Sequence, residues 1–153
     1  MLDHSKLDPD LEIRARIEQA RSAFNRLKRL LCDARLNLDL RLRLLKCYIW
    51  STLLYGVETW TLRTSMINKI EAFEMWTFRR ILKIPWTSHT SNEEVLRRVN
   101  RERELYHIIK VRKTAYLGRV LRNDKYRYAQ LIIKGKIEGK RGMGRKKLSW
   151  PKL

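Results

Sequence analysis

With 153 residues, 35 Lys and Arg against 16 Asp and Glu, and a formal net charge of +19, the chain is strongly basic. Hydrophobic residues make up 44% of it, which excludes a disordered basic tail, since such segments are poor in apolar and aromatic side chains. No apolar run approaches the roughly 18 residues that a membrane-spanning helix needs, and the start at Met1 lacks the basic-then-apolar pattern of a signal peptide. A soluble, intracellular, globular domain with a polyanionic partner is the expectation, nucleic acid ahead of an acidic membrane surface.

Residues 1–7 read as an irregular stub, and helices with short joints follow. Asp8 is placed to cap the first helix, with Pro9 at its first position and Glu12 in its first turn. Ile13, Ile17, Ala20, Phe24, Leu27 and Leu31 then form one apolar stripe. A second helix runs from an Asn37 cap to about Tyr55, with Gly56 placed to end it. Leu42, Leu45, Ile49 and Leu53 share a face, but Leu44, Tyr48, Trp50 and Leu54 cover much of the rest. A helix so apolar belongs in the middle of a core or under a partner. Cys32 and Cys47 fall inside these apolar patterns and read as two reduced core thiols, with a disulfide or metal pair as the alternative.

Val57 to Thr61 is short and β-prone. Thr64 or Ser65 is expected to cap a third helix carrying Ile67, Ile70, Phe73, Trp76, Phe78, Ile81 and Leu82, which Pro85 should stop. Ser91-Asn-Glu-Glu94 reads as a capping box opening a fourth helix, with Glu94 reaching back; that explains the adjacent acids better than a catalytic carboxylate pair. A fifth helix spans about Arg103 to Leu121, with Gly118 marking a close helix contact or a kink. A shorter one covers Lys125 to Ile133. The fold expected is all-α, a small bundle of five to six helices over 8–133, followed by a flexible basic arm at 134–153.

The charge is uneven. Residues 1–100 hold 18 basic and 12 acidic side chains, a net of +6, whereas residues 101–153 hold 17 and 4, a net of +13. Lys134 to Lys147 alone carries seven basic residues, one acid and four glycines. Each interior glycine costs a helix about 1 kcal/mol, so this stretch reads as a mobile arm. His4, His89 and His107 match no zinc spacing. No Gly-x-Ser-x-Gly or His-Glu-x-x-His occurs. Asp8, Asp10, Asp33 and Asp39 flank helix ends, where structural acids sit. The residues alone do not describe an enzyme.

Leu40 to Leu62, reading Leu-Arg-Leu-Arg-Leu-Leu-Lys-Cys-Tyr-Ile-Trp-Ser-Thr-Leu-Leu-Tyr-Gly-Val-Glu-Thr-Trp-Thr-Leu, closely resembles the region after the polymerase palm in reverse transcriptases of non-LTR retrotransposons. The likeness extends upstream to Ile13–Ala20. Downstream it takes in Ile70–Met75, Arg79–Leu82, Asn92–Leu96, Tyr116–Gly118, Val120–Arg122 and Gly139–Gly142 before Ser149-Trp150, about residues 8–150 in all. Each motif is weak alone; their order and spacing are specific. The resemblance implies a thumb-like region downstream of endonuclease, fingers and palm. The palm's Asp-Asp motif has no counterpart here, and the magnesium of the parent polymerase belongs to that palm, so no catalytic residue and no cofactor carries over. Where the family usually shows Gly-His, this chain has Gly118-Arg119. The chain is therefore expected to be a truncated, non-catalytic fragment of a mobile element, nuclear in location.

A thumb grips primer–template through phosphates with few base contacts. The implied partner is RNA, DNA or their hybrid. The residues expected to make the grip are Arg112, Lys113, Arg119 and Arg122 on the fifth helix and Lys140, Arg141, Arg145, Lys146 and Lys147 on the arm. Trp150 or Tyr116 could stack on a base, although Tyr116 is better expected in the core and Trp150 equally well as a tail anchor. The rival expectations are a structural or self-associating remnant, whose apolar second and third helices would otherwise cover the palm, and an inert pseudogene product.

Overall fold

The computed structural model describes residues 9–134. The stub at 1–7, the Asp8 cap and the basic arm beyond Lys134 lie outside the described residues. Six α-helices and no strand occur among the described residues, so the all-α bundle expected from periodicity is what forms. They are α1 (Pro9–Leu31), α2 (Leu38–Leu44), α3 (Thr64–Ile81), α4 (Asn92–Val99), α5 (Leu105–Arg122) and α6 (Arg127–Lys134). The chain divides into two compact units, one ending at Tyr116 and the other beginning at Leu117, a division that falls inside α5.

In the first unit the α1 stripe is buried as its spacing predicts, at Ile13, Ile17, Ala20, Phe24 and Leu31. It packs on α2 and α3. Asn37 caps α2, its side chain accepting the Asp39 N–H at 2.9 Å. α2 does not simply continue: a π-helical stretch, Leu45–Trp50, and a last α turn, Ser51–Leu53, follow it without a break. Ile49 and Trp50, adjacent in this stretch, are both buried in the core. Two hydroxyls take up carbonyls of this stretch, Ser51 Oγ bonding Cys47 O at 2.5 Å and Thr52 Oγ1 bonding Tyr48 O at 2.8 Å.

Gly56, at φ +72°, reverses the chain after this helix. The segment expected to be β-prone forms a 3-10 turn, Val57–Thr59, instead of a strand. Val57 and Trp60 are both buried, and anchors three residues apart suit the three-residue repeat of a 3-10 turn. α3 is the central helix. It buries Met66, Ile70, Phe73, Met75, Phe78 and Ile81, and Trp76 meets Phe24 edge-on at 5.0 Å while stacking on Phe73 at 5.8 Å.

The two ends of α3 differ from expectation. Its cap is Arg63, with Thr64 already helical, and no hydroxyl caps it. Its stop is not set by Pro85: Lys83 takes a left-handed backbone at φ +55°. The Lys83 and Ile84 N–H groups then bond Arg80 O and Arg79 O, a Schellman closure that precedes the proline. Asn100, at φ +53°, closes α4 in the same way onto Arg97 O and Leu96 O. Ser91 Oγ does accept the Glu94 N–H at 3.2 Å, but Glu94 turns its carboxylate to Arg97 and Arg98 instead of reaching back. Both arginines lie within one turn, where ion pairing outcompetes a single backbone contact.

The segment Arg101-Glu-Arg-Glu104 has no hydrophobic period, yet it is pinned. Arg101 pairs with Asp39 at 3.1 Å, Arg103 with Glu71 at 2.5 Å, and Glu104 with Lys46. Beneath it sits Glu74, fully buried on α3. Its Oε1 accepts the N–H groups of Glu104 at 2.8 Å and Leu105 at 3.2 Å, so a carboxyl from another helix caps the start of α5. Burial pushes the Glu74 carboxyl above its ordinary value despite those two donors, and Oε2 has no hydrogen-bond partner among the described residues.

In the second unit, Gln130 of α6 donates to Val120 O at 3.0 Å and Asn123 O at 2.9 Å, closing the short joint between α5 and α6. Gly118 shows no close helix contact: a Cβ there would meet only the Arg122 guanidinium, at 3.6 Å. The core-thiol expectation holds in part: neither cysteine is bridged and Cys32 packs against the core, but Cys47 does not. Cys47 is exposed on the outer face of the π stretch, and Cys32 is half-buried beyond the end of α1; both are free.

Candidate nucleic-acid interface

The α5 cations behave differently from one another. Arg112 donates to Leu54 O at 3.3 Å. Lys113 reaches Trp60 O and, at 3.4 Å, Glu58 O. These carbonyls lie at the end of the α2 run and around the 3-10 turn after it, where cations complement the exposed acceptors; Leu54 O also accepts the Val57 N–H at 3.4 Å. Lys113 is half-buried, and desolvation lowers its pKa below that of a free lysine. Its ammonium is committed to the frame. Arg119 and Arg122, in the second unit, are exposed. Lys140, Arg141, Arg145, Lys146, Lys147 and Trp150 lie outside the described residues. Tyr116 is 42% exposed, so the core role expected for it is not the one it has. It lies seven residues after Ile109 and eleven after Leu105, on the same side of α5, but that side is already open to solvent at Arg112 and stays so at Tyr116.

The first unit assembles a basic groove that no sequence window displays. It has a volume of about 1040 Å³ and is lined by Arg21 and Lys28 of α1, Arg79 and Arg80 of α3, Lys83 just beyond it, and Arg103. Trp76 and Trp86 also line it, and Glu71 is its one acid. The six cations are not equivalent. Arg79 is spent on structure, bonding Thr90 O at 2.8 Å and Asn92 Oδ1 at 2.9 Å. Arg103 is paired with Glu71. Arg21 and Arg80 lie over the Trp76 ring at 5.4 and 5.5 Å, with Arg21 also 3.4 Å from the exposed Glu18. Lys28 and Lys83 are exposed and have no ion pair among the described residues. Arg21, Lys28, Arg80 and Lys83 are therefore the four heads available to an anion.

The geometry follows from local sequence. Arg21 and Lys28 stand seven residues apart on α1, two turns along one face. Arg80 and Lys83 cluster because α3 ends there and Lys83 occupies the left-handed closing position. Positive charge at a helix C-terminus is itself favourable. Trp86 starts a 3-10 turn, Trp86–Ser88, and is 91% exposed.

The acids at helix ends each have their own cation. Asp10 is held below its ordinary value first by the Lys69 hydrogen bond, at 2.6 Å, with Arg14 also contributing. Asp33 is lowered to about 2, chiefly by its hydrogen bonds to Arg35. Among the described residues no three His, Cys, Asp or Glu side chains converge so as to hold a metal ion, and no helix is long and apolar enough to cross a membrane. No protein-family model, no curated protein and no solved structure matches this chain.

Proposed function

We propose that the chain is a nucleic-acid-gripping region of a non-LTR reverse transcriptase, holding primer–template through phosphates and having no polymerase chemistry of its own. The observation that carries the binding part is the groove: four available cationic heads drawn from two helices and a closing turn, with one acid, already paired, among its lining residues. A flexible polyphosphate is complementary to such a surface, whereas a small anion would need only one or two of the heads. The retrotransposon origin rests on the motifs running from Ile13 to Trp150. Arg119, Arg122 and the arm cations Lys140, Arg141, Arg145, Lys146 and Lys147 are proposed as further phosphate contacts for the same partner.

Titration of a labelled oligonucleotide against salt tests this. With ~4 phosphates neutralised in the groove and ~5 by the arm, log affinity falls linearly with log salt. Replacing the five arm cations by alanine flattens the slope by about 4 to 5 on duplex and leaves helix content unchanged. Absence of binding at ~50 mM salt, or a slope near zero, defeats the proposal.

One observation favours a second reading, self-association. Leu40, Tyr48 and Tyr55 are 46%, 57% and 69% exposed along the outer side of the α2 run. α3, by contrast, buries its apolar residues within the chain's own fold. Light scattering after size exclusion discriminates: a monomer at all concentrations counts against self-association.

A further inference from the structure

We infer that the α1–α3 groove holds an unpaired nucleic-acid strand, with a base stacked on Trp86 and the flanking phosphates on Lys28, Arg80 and Lys83. The inference deepens the proposed function and rests on it. It begins from a contrast between the two indoles of the groove. Trp76 is taken: Phe73 stacks on it, Phe24 meets its edge, and Arg21 and Arg80 lie over it. Trp86 has no ring, cation or core contact among the described residues and is 91% exposed. An indole offers a large apolar surface to water, and unpaired bases are the nucleic-acid groups whose flat faces are free to cover it. In a duplex those faces are already stacked.

The turn that carries Trp86 is held in place. Ser88 bonds Pro85 O through its N–H at 3.1 Å and its hydroxyl at 2.8 Å, and Ser88 Oγ lies 2.8 Å from Thr90 Oγ1. Arg79 reaches from α3 to Thr90 O, tying the far side of the turn to the groove wall. Left-handed Lys83 and His89, at φ +55° and +46°, bracket it. Lys83 ends α3 and His89 ends the 3-10 turn, so each is a closing position of the helical segment before it. The bracket places one cation, Lys83, three residues before the indole, both lining one groove. A cationic track beside an aromatic platform is what sequence-tolerant recognition of single strands uses.

The test compares the full chain with Trp86→Ala and Trp86→Phe on fluorescently labelled probes of about 12 units, the length range of one such site. The probes are oligo-dT, oligo-U and a mixed-sequence duplex. The expected result is that Trp86→Ala weakens both single strands by at least about fivefold, leaves duplex binding unchanged, and is largely rescued by Phe. Single-strand binding also quenches indole fluorescence in the wild type, and less in Trp86→Phe. Equal loss on strand and duplex, no loss in Trp86→Ala, or failure of Phe to rescue overturns the inference, as does a change in oligomeric state with strand binding unaltered. Loss of binding to every probe in the wild type defeats the proposed function itself, so the two failures are distinguishable. The oligo-dT and oligo-U arms report which backbone is preferred.

Discussion

Two sets of basic side chains in this molecule look alike on paper and differ in space. Arg112, Lys113, Arg119 and Arg122 are close in sequence, yet the first two spend their hydrogen bonds on backbone carbonyls at Leu54, Glu58 and Trp60. Arg21, Lys28, Arg80 and Lys83 are spread over more than sixty residues, yet they line one groove. Charge density along a chain is therefore a poor guide to charge density on a surface. A cation near an unsatisfied helix end is drawn to it; a cation with no such acceptor stays available to solvent and to phosphate.

The largest expected effect is on the groove set. Reversing Lys28, Arg80 and Lys83 to Glu together should flatten the single-strand salt slope by about 2 and abolish single-strand binding at moderate salt. A similar loss from Arg112→Ala with Lys113→Met would break the contrast between the two sets.

Next comes Glu74, whose carboxyl holds the segment that leads into α5. Glu74→Leu leaves two buried N–H groups unpaired and should cost about 2–5 kcal/mol in denaturant unfolding. Glu74→Gln keeps an acceptor and removes the charge. Because the folded carboxyl titrates above its ordinary value, the native state holds its proton longer than the unfolded chain does. The stability from this group is full below about pH 4.3, the unfolded value, and is lost as pH rises through the folded value. Glu74→Gln should thus be near neutral at pH 4 and stabilising at pH 7.

Lys113→Met is a smaller perturbation. It should change stability by roughly 1–2 kcal/mol and leave oligonucleotide affinity unaltered, as a structural cation predicts. Since burial lowers the folded lysine pKa, the native state sheds its proton first. The stability of the wild type relative to Lys113→Met should accordingly rise with pH up to the free-lysine range. The smallest effect is at Tyr116, where exposure predicts a change within about 0.5 kcal/mol for Tyr116→Ala.

Helix number and order were legible because apolar spacing reports burial directly. The α1 stripe, the Asn37 and Ser91 caps and the Gly56 reversal all rest on interactions within a few residues. What was not legible depends on partners far along the chain. Nothing local marks Glu74, an acid amid apolar residues, as the cap of α5. The exposure of Cys47 and Tyr48 depends on which neighbours pack against the α2 run, which apolar character alone does not tell. Pro85 looked like the stop for α3, while the closure was made earlier by Lys83, a residue with no glycine-like signature. Trp86 sat in a joint between helices and offered no periodicity by which to judge its exposure.

By itself the sequence determined that this is an all-helical, strongly basic chain, because helical period and net charge are sums over local residues. Only the tertiary structure decided which cations are free, because that depends on which backbone carbonyls and carboxylates the fold brings within reach. It likewise decided that one tryptophan of the groove is enclosed and the other stands open beside Lys83.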